Sequence, residues 1–434
     1  MLKTIKSITP VMTFILIIGL INILNECQSS GSSGSKYITV SNSNPRNIGQ
    51  FFYGQNYWDW AYTGMDGTES TMADLHLNIY RAGGTTLDCQ ENGKTWKEAQ
   101  IDKYIAYCRA ISAEPLLTVS VVRNNATSAA DWVNYCNNRK GYGIKYWIIG
   151  NEPEYYGKYI RTGYSMEDYA QTFNEFATAM KKVDSSIFVI GPESGGDGQK
   201  MLGTFLKQCG KTVDIVSFHY YPFGNKGDFS IEKVMADQSL RSKIREIRST
   251  VDTYCGSGKP IALTETHSSW SSIMGEPASA ETFYSGLWVA DAIGIALEEN
   301  IWSACLWATN GGYGTGFLDC TNQNKPRPAY YSMQMFAAHF GKYLIQAESP
   351  QNMSVYASRN ETGDHTILIV INKTSIPQEE TIRFRNFPNA LPERKYTFPA
   401  YSLTCLSVPD NGNAMESWSY TKDLADGWNP PIHN

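Results

Sequence analysis

Between residues 51 and 309, short and almost continuously apolar runs alternate with longer amphipathic stretches. The runs are FFYGQNYW (51–58), LNIYRAG (77–83), PLLTVSV (115–121), IKYWIIG (144–150), IFVIGPE (187–193), VDIVSFHYY (213–221), PIALTET (260–266) and IWSACLWAT (301–309). A strand with one wet face alternates apolar and polar residues, whereas these do not, so they read as parallel strands covered on both faces. The stretches between them carry helical spacing. In SMEDYAQTFNEFATAMKKV (165–183), Met166, Tyr169, Ala170, Phe173, Phe176, Ala177 and Met180 recur at intervals of three and four, and Ser165 with Asp168 forms a capping pair. TWKEAQIDKYIAYCRAI (95–111) and AETFYSGLWVADAIGIALEEN (280–300) repeat the pattern. Eight strand–helix units close into a (β/α)8 barrel, here over 50–341, an α/β fold. The rival is an open doubly wound sheet, which places a glycine-rich phosphate loop after its first strand; GQNYWDW is not one.

After KPRPAYYSMQMFAAHFG (325–341), which reads as the eighth helix, the period changes. NMSVYASR, HTILIVINK, EETIRFRNF and YTFPAYSLTCLSV are short strands split by Gly, Pro and Asn. They predict a small antiparallel β-sandwich domain over 342–409. KYITVSN (36–42) has no helix after it, so the segment 37–49 is expected to join that domain. Residues 410–434, with Trp418 and Trp428, read as a tail.

The start of the chain is addressed, not folded. MLKTIK is positively charged and VMTFILIIGLINIL (11–24) is a 14-residue apolar run, too short to span a bilayer comfortably and suited to a signal peptide core. Leu24-Asn25-Glu26-Cys27 ahead of the Ser/Gly spacer 28–36 resembles the bacterial lipoprotein signal, in which Cys27 is lipidated. Ordinary cleavage is the alternative, and either way the protein is expected outside the cytoplasm, touching a membrane only through a lipid on Cys27. Eight cysteines follow Cys27, and an oxidising compartment allows pairing among them. None stands in a CxxC or Cys/His cluster, which argues against zinc.

Composition narrows the partners. The net charge is -5 with 37 basic residues among 434, which leaves no basic patch for nucleic acid. Aromatic residues make up 13% of the chain, including 11 Trp and 27 Tyr, enough to line a cleft with flat faces for sugars. Active sites on such barrels assemble at the C-terminal strand ends. There the first run delivers Asn56 and Trp58, the second Arg81, the fourth Asn151 and Glu152, the sixth His219 and Tyr221, the seventh Glu265 and His267, and the eighth Trp307 and Asn310. Glu152 and Glu265 stand out as the two strand-end carboxylates, with Glu154 a neighbour of the first. A facing pair of carboxylates is the equipment of glycoside hydrolysis: one protonates the leaving oxygen, the other attacks the anomeric carbon or activates water.

WIIGNEP (147–153) and ALTETHSSW (262–270) bring this to a recognisable pattern. The chain resembles the clan A glycoside hydrolases, retaining enzymes on (β/α)8 barrels whose acid/base Glu ends strand four in Asn-Glu-Pro and whose nucleophilic Glu ends strand seven. The resemblance implies Glu152 as acid/base, Glu265 as nucleophile and Asn151 on the sugar 2-hydroxyl. It implies Arg81, His219, Tyr221, Trp307, Trp58 and Asn56 as substrate-side residues, with Tyr221 on Glu265. YGQNYW, YRAGG and VDIVSFHYYPF are similar to the family 44 endoglucanases and xyloglucanases, although Thr266 stands where that family carries Tyr. The implied protein is an exported monomer, without cofactor or metal, acting on a β-linked polysaccharide. An exo-acting xylosidase or arabinofuranosidase and a non-catalytic carbohydrate-binding surface protein are the alternatives.

Overall fold

The eight apolar runs form a closed parallel barrel in a computed structural model that describes residues 35–57, 65–89, 96–271, 273–311 and 316–434. After an initial strand β1 (Ile38–Asn47), the barrel strands are β2 (Tyr53–Tyr57), β3 (Ile79–Ala82), β4 (Glu114–Val119), β5 (Tyr146–Ile149), β6 (Phe188–Ser194), β7 (Ile215–Tyr220), β8 (Ile261–Thr266) and β9 (Ala304–Leu306). β2 pairs with β9 to close it. The targeting segment 1–27, the linker to residue 34 and Trp58 lie outside the described residues.

Strand periodicity explains how a greasy wall ends in a polar site. Successive side chains point to opposite faces, so residues two apart share the barrel interior. Ile79, Leu116, Ile148, Ile190, Ile215, Ala262 and Cys305 fill one interior layer, all buried. Two residues on, the same strands supply Arg81, Thr118, Ser217 and Thr264, equally buried and polar. The outward residues, among them Leu117, Trp147, Ile149, Val189 and Phe218, pack into the large core beneath the helices. Each fully buried aliphatic or aromatic side chain contributes about 1.5–3 kcal/mol. The apolar layers therefore supply the stability that lets the top layer be polar.

Helix Met166–Val183 buries the seven residues its spacing selects, and Ser165 caps it: Asp168 N donates to Ser165 Oγ at 3.2 Å and Ser165 N to Asp168 Oδ2 at 2.8 Å. Helix Phe283–Glu298 is buried almost all round because the β-domain covers its outer face. A Cβ at its Gly294 would stand within 2.4 Å of the Tyr356 ring.

The second domain is one curled nine-stranded sheet in place of two stacked sheets. Its order is Arg394–Phe398, Gln378–Arg385, β1, Tyr343–Glu348, Met353–Arg359, His365–Asn372, Ser402–Pro409, Glu416–Thr421 and Ile432–His433. β1 pairs antiparallel with Tyr343–Glu348 and parallel with Gln378–Arg385. Ile38, Val40, Val355, Leu368, Ile382 and Leu406 form a buried cluster of their own within the domain. Residues 410–434 are not a tail: Glu416–Thr421 adds to the sheet edge through Ser402–Pro409. The signal was the alternation Ser417-Trp418-Ser419-Tyr420. Trp418 stacks on His339 and His433 at 4.2 and 4.5 Å, and Tyr420 is buried against Phe283 and Tyr331. Cys108, Cys136, Cys209, Cys255, Cys305, Cys320 and Cys405 all carry free thiols, so none of these seven pairs with another.

Candidate active site

The polar layer opens into a cleft of about 580 Å³ at the C-terminal end of the barrel, whose walls include Thr85, Glu152, His219, Tyr221, Glu265 and Trp307. Glu152 follows β5 and Glu193 closes β6, and both adopt left-handed backbone, with φ of 49° and 60°. Such a conformation costs a non-glycine residue about 1–3 kcal/mol and persists where the surroundings over-determine it. They do so here. Glu152 N donates to Glu193 O at 3.1 Å. Asp88, buried in helix Thr85–Cys89, accepts from Val121 N at 2.7 Å through Oδ1. Its Oδ2 takes Asn151 N at 2.9 Å and the Tyr156 hydroxyl. The turn that presents Glu152 is thus pinned by an acid 63 residues earlier.

Arg81 is the hub beneath. Its Nη1 donates to Asn56 Oδ1 at 2.6 Å and Glu265 Oε1 at 2.8 Å, and its Nη2 to Asn151 Oδ1 at 2.8 Å and Glu193 Oε2 at 2.7 Å. Burial alone would ease a proton off this guanidinium, but Glu193 and Glu265 raise its pKa instead. His219 is the second hub. Its Nδ1 lies 3.1 Å from Glu152 Oε1 and 3.6 Å from Glu265 Oε2, and its Nε2 3.2 Å from Glu193 Oε2. Burial pushes an imidazole pKa down, yet Glu265, Glu152 and Glu193 outweigh it and hold His219 at about 10, so it is an imidazolium donating from both nitrogens at neutral pH. Burial favours the acid form of Glu193, but Arg81 and His219 bring it down to about 2. Tyr221 donates to Glu265 Oε2 at 3.0 Å.

Exposure separates the three acids. The side chains of Glu152, Glu265 and Glu193 are 20%, 8% and 0% exposed, so the first two face the cleft and the third is its foundation. Ligand atoms of Glu152, His219 and Glu265 all lie within 4.8 Å of one another. Such a trio can hold a cation in principle, in competition with the proton on His219.

The sequence-derived residues largely converge here, with corrections. Arg81 and Asn56 do not face substrate: both are fully buried, and the Asn56 amide is spent on Thr264 O, Leu306 O and Arg81. His267 lies outside the cleft, buried against Ser268, Ser285 and Phe317, and burial drops its pKa to about 3. Asn310 starts a small sheet with Leu318. Trp307 reaches the site as expected. A Cβ at Gly84, whose φ is +98°, would stand 2.8 Å from the Trp307 ring and 3.8 Å from Glu265 Oε1. Only glycine fits there. Sequence reading missed Glu193, although IFVIGPE ends in acid as abruptly as IKYWIIGNE does. It also missed Asp88, Thr85, Tyr155 and Trp270, which come from loops and short helices outside the strand pattern.

Residues 138–381 match the model of Glycosyl hydrolases family 39, a span of more than half the chain that includes both cleft carboxylates. The chain belongs to glycosyl hydrolase family 39. That family lies within clan A, and the match is to family 39 where the local motifs suggested 44. As a family 39 member it is 25% identical over 305 residues to the heparanase of Rattus norvegicus, covering 64% of this chain and 54% of that protein. It is 26% identical over 184 residues to an intracellular exo-alpha-(1->5)-L-arabinofuranosidase of Acetivibrio thermocellus, covering 36% of this chain and 35% of that one. The chain spans about half the length of the heparanases it matches. Among solved structures, the alpha-L-arabinofuranosidase from Thermotoga maritima superposes with TM-score 0.68 at 18% identity, over 92% of this chain and 97% of that one. A Paenibacillus polymyxa xyloglucanase from family 44 gives TM-score 0.68 at 14% identity, over 86% and 99%. At these identities the likeness is one of fold.

Proposed function

We propose that this family 39 glycoside hydrolase is exported and retaining, and cuts a β-linked polysaccharide of the glucan or xyloglucan class by double displacement. The observation that carries the chemistry is the spacing of Glu152 and Glu265, with carboxylate oxygens within 4.8 Å. A retaining pair stands roughly 5–5.5 Å apart, while an inverting pair needs about 6.5–9.5 Å to seat a water. Glu265, tied by Arg81 on Oε1 and by Tyr221 on Oε2, attacks the anomeric carbon. Glu152, the more exposed acid, gives its proton to the departing glycosidic oxygen. Glu152 then takes a proton from water, whose oxygen displaces Glu265 and restores the starting configuration. Asn151, held by Arg81 on its oxygen, donates its amide to Thr85 Oγ1 at 3.3 Å and is buried just beneath the cleft, so only its second amide hydrogen can be offered to a sugar 2-hydroxyl. Trp270 and Tyr155, 57% and 41% exposed at the cleft mouth, extend flat faces beyond a single sugar ring, which supports action within a chain. The apolar run at 11–24 supports export.

Glu265→Gln is expected to lower kcat by about 10⁴-fold or more with the fold unchanged. Glu152→Ala is expected to lose turnover of unactivated glycosides and to regain it with azide, giving a glycosyl azide of retained configuration. Wild-type activity in Glu265→Gln ends the mechanism. Products from β-glucan, xyloglucan, xylan, mannan and arabinan fix the substrate; release of single pentoses alone would make the enzyme exo-acting.

A further inference from the structure

Glu154 is an acid that double displacement leaves without a task. It belongs to the short 3-10 turn Pro153–Tyr155, and its carboxyl reaches Gly195, just past β6. Gly195 N donates to its Oε1 at 2.7 Å, while its Oε2 is buried without a hydrogen-bond partner among the described residues. A buried carboxylate oxygen lacking a donor is unfavourable, and a carboxylic acid at the same place is much less so. Two glycines make room for it. A Cβ at Gly198 would stand 2.4 Å from Glu154 Oε2. A Cβ at Gly195 would stand 2.9 Å from Glu152 Oε1 and 3.3 Å from Glu154 Oε1, so both acids crowd one bare stretch of backbone.

We propose that Glu154 is a positioning residue for the acid/base: a buried carboxyl that crowds Glu152 at Gly195 and is coupled to it through charge. The proposal rests on the reading of Glu152 as acid/base. The charged groups facing Glu154 are Glu152 on the same turn and His219 on β7. Burial, then the Glu152 charge, raise its pKa to about 8, against the smaller pull of the Gly195 amide and His219. At neutral pH Glu154 carries a proton, and once that proton is lost two negative charges stand together beside Gly195. Coupled acids titrate as a pair, so the last proton leaves at the upper value and acid catalysis extends toward neutral pH.

The test is Glu154→Gln, which keeps the shape and cannot ionise. On an unactivated oligosaccharide, the alkaline limb of kcat/KM is expected to move to lower pH, with roughly a tenfold loss near pH 7.5 and little change at the acid optimum. On a dinitrophenyl glycoside, whose leaving group needs no proton, the profile stays put; a merely structural role would lower both substrates together. Infrared titration of the wild-type enzyme should show a carboxylic C=O band bleaching near pH 8, and this decides the matter even where the variant does not fold. An unshifted limb, or no carboxylic acid titrating between about pH 6.5 and 9, overturns the proposal. Full oligosaccharide turnover by Glu152→Gln would instead sink the reading beneath it.

Discussion

Two buried clusters of charge, one atop the barrel and one where barrel meets β-domain, are built to different rules. At the domain junction Asp291 on helix Phe283–Glu298 accepts from Lys373 Nζ at 2.6 Å, from the Tyr356 hydroxyl at 2.6 Å and from Gln238. One acid meets one base on ordinary backbone. Burial favours protonated Asp291, but Lys373 outweighs it and holds the pKa below the usual carboxylate range. Atop the barrel three acids, Glu152, Glu193 and Glu265, surround two cations, Arg81 and His219, on a backbone twice forced left-handed. The junction uses its charge to hold. The barrel top keeps a surplus of acid, and the least buried of the surplus faces the cleft. Buried ion pairs alone therefore do not mark a site; unequal counts, graded exposure and strained backbone together do.

The contrast can be broken experimentally. The largest stability effect belongs to the junction. Lys373→Met leaves Asp291 charged and unpaired, and should cost about 3–5 kcal/mol in chemical denaturation while kcat/KM stays near wild type. Loss of activity in a folded Lys373→Met would dissolve the distinction. His219→Asn does the reverse: kcat/KM is expected to drop about 10²–10³-fold, the scale of losing one preorganised donor in a closed site, with a smaller change in stability. The gentlest probe is pH. The folded pKa of His219, about 10, is raised above the ordinary 6.5, so its contribution to stability is complete below pH 6.5 and drains away as pH climbs to 10. Melting temperature should fall across that window, and the fall should flatten in His219→Asn. A junction whose acid is depressed loses its contribution only on the acid side, so Lys373→Met should leave the alkaline slope unchanged.

Much of this was legible in the chain, and the failures share a cause. Continuous apolar runs with helical stretches between them dictate a parallel barrel, and the strand-end rule then locates Glu152, His219, Tyr221, Glu265 and Trp307 in one cleft. What escaped depends on distance in sequence. Asp88 matters because it reaches Asn151 N, and nothing local announces that contact. Arg81 and Asn56 sit at the right strand ends, yet only the barrel's layering shows that the protein itself consumes their hydrogen bonds. Trp418 and Tyr420 alternate over four residues, too short a stretch to outweigh the Gly, Asn and Pro around it.

β1 carries a consequence for how the molecule is made. It leaves the ribosome before any of the barrel, yet its sheet partners begin at Tyr343 and Gln378, about 300 residues later. Throughout synthesis of the barrel, Ile38 and Val40 have no sheet to enter, although β1 is the strand that will join Gln378–Arg385 to Tyr343–Glu348. Closing that loop costs little entropy at such length, since the penalty grows only with its logarithm. The burden falls on time. The β-domain is bridged by a strand made before the barrel and completed by strands made after it, so the barrel is folded between partners that are still waiting for each other.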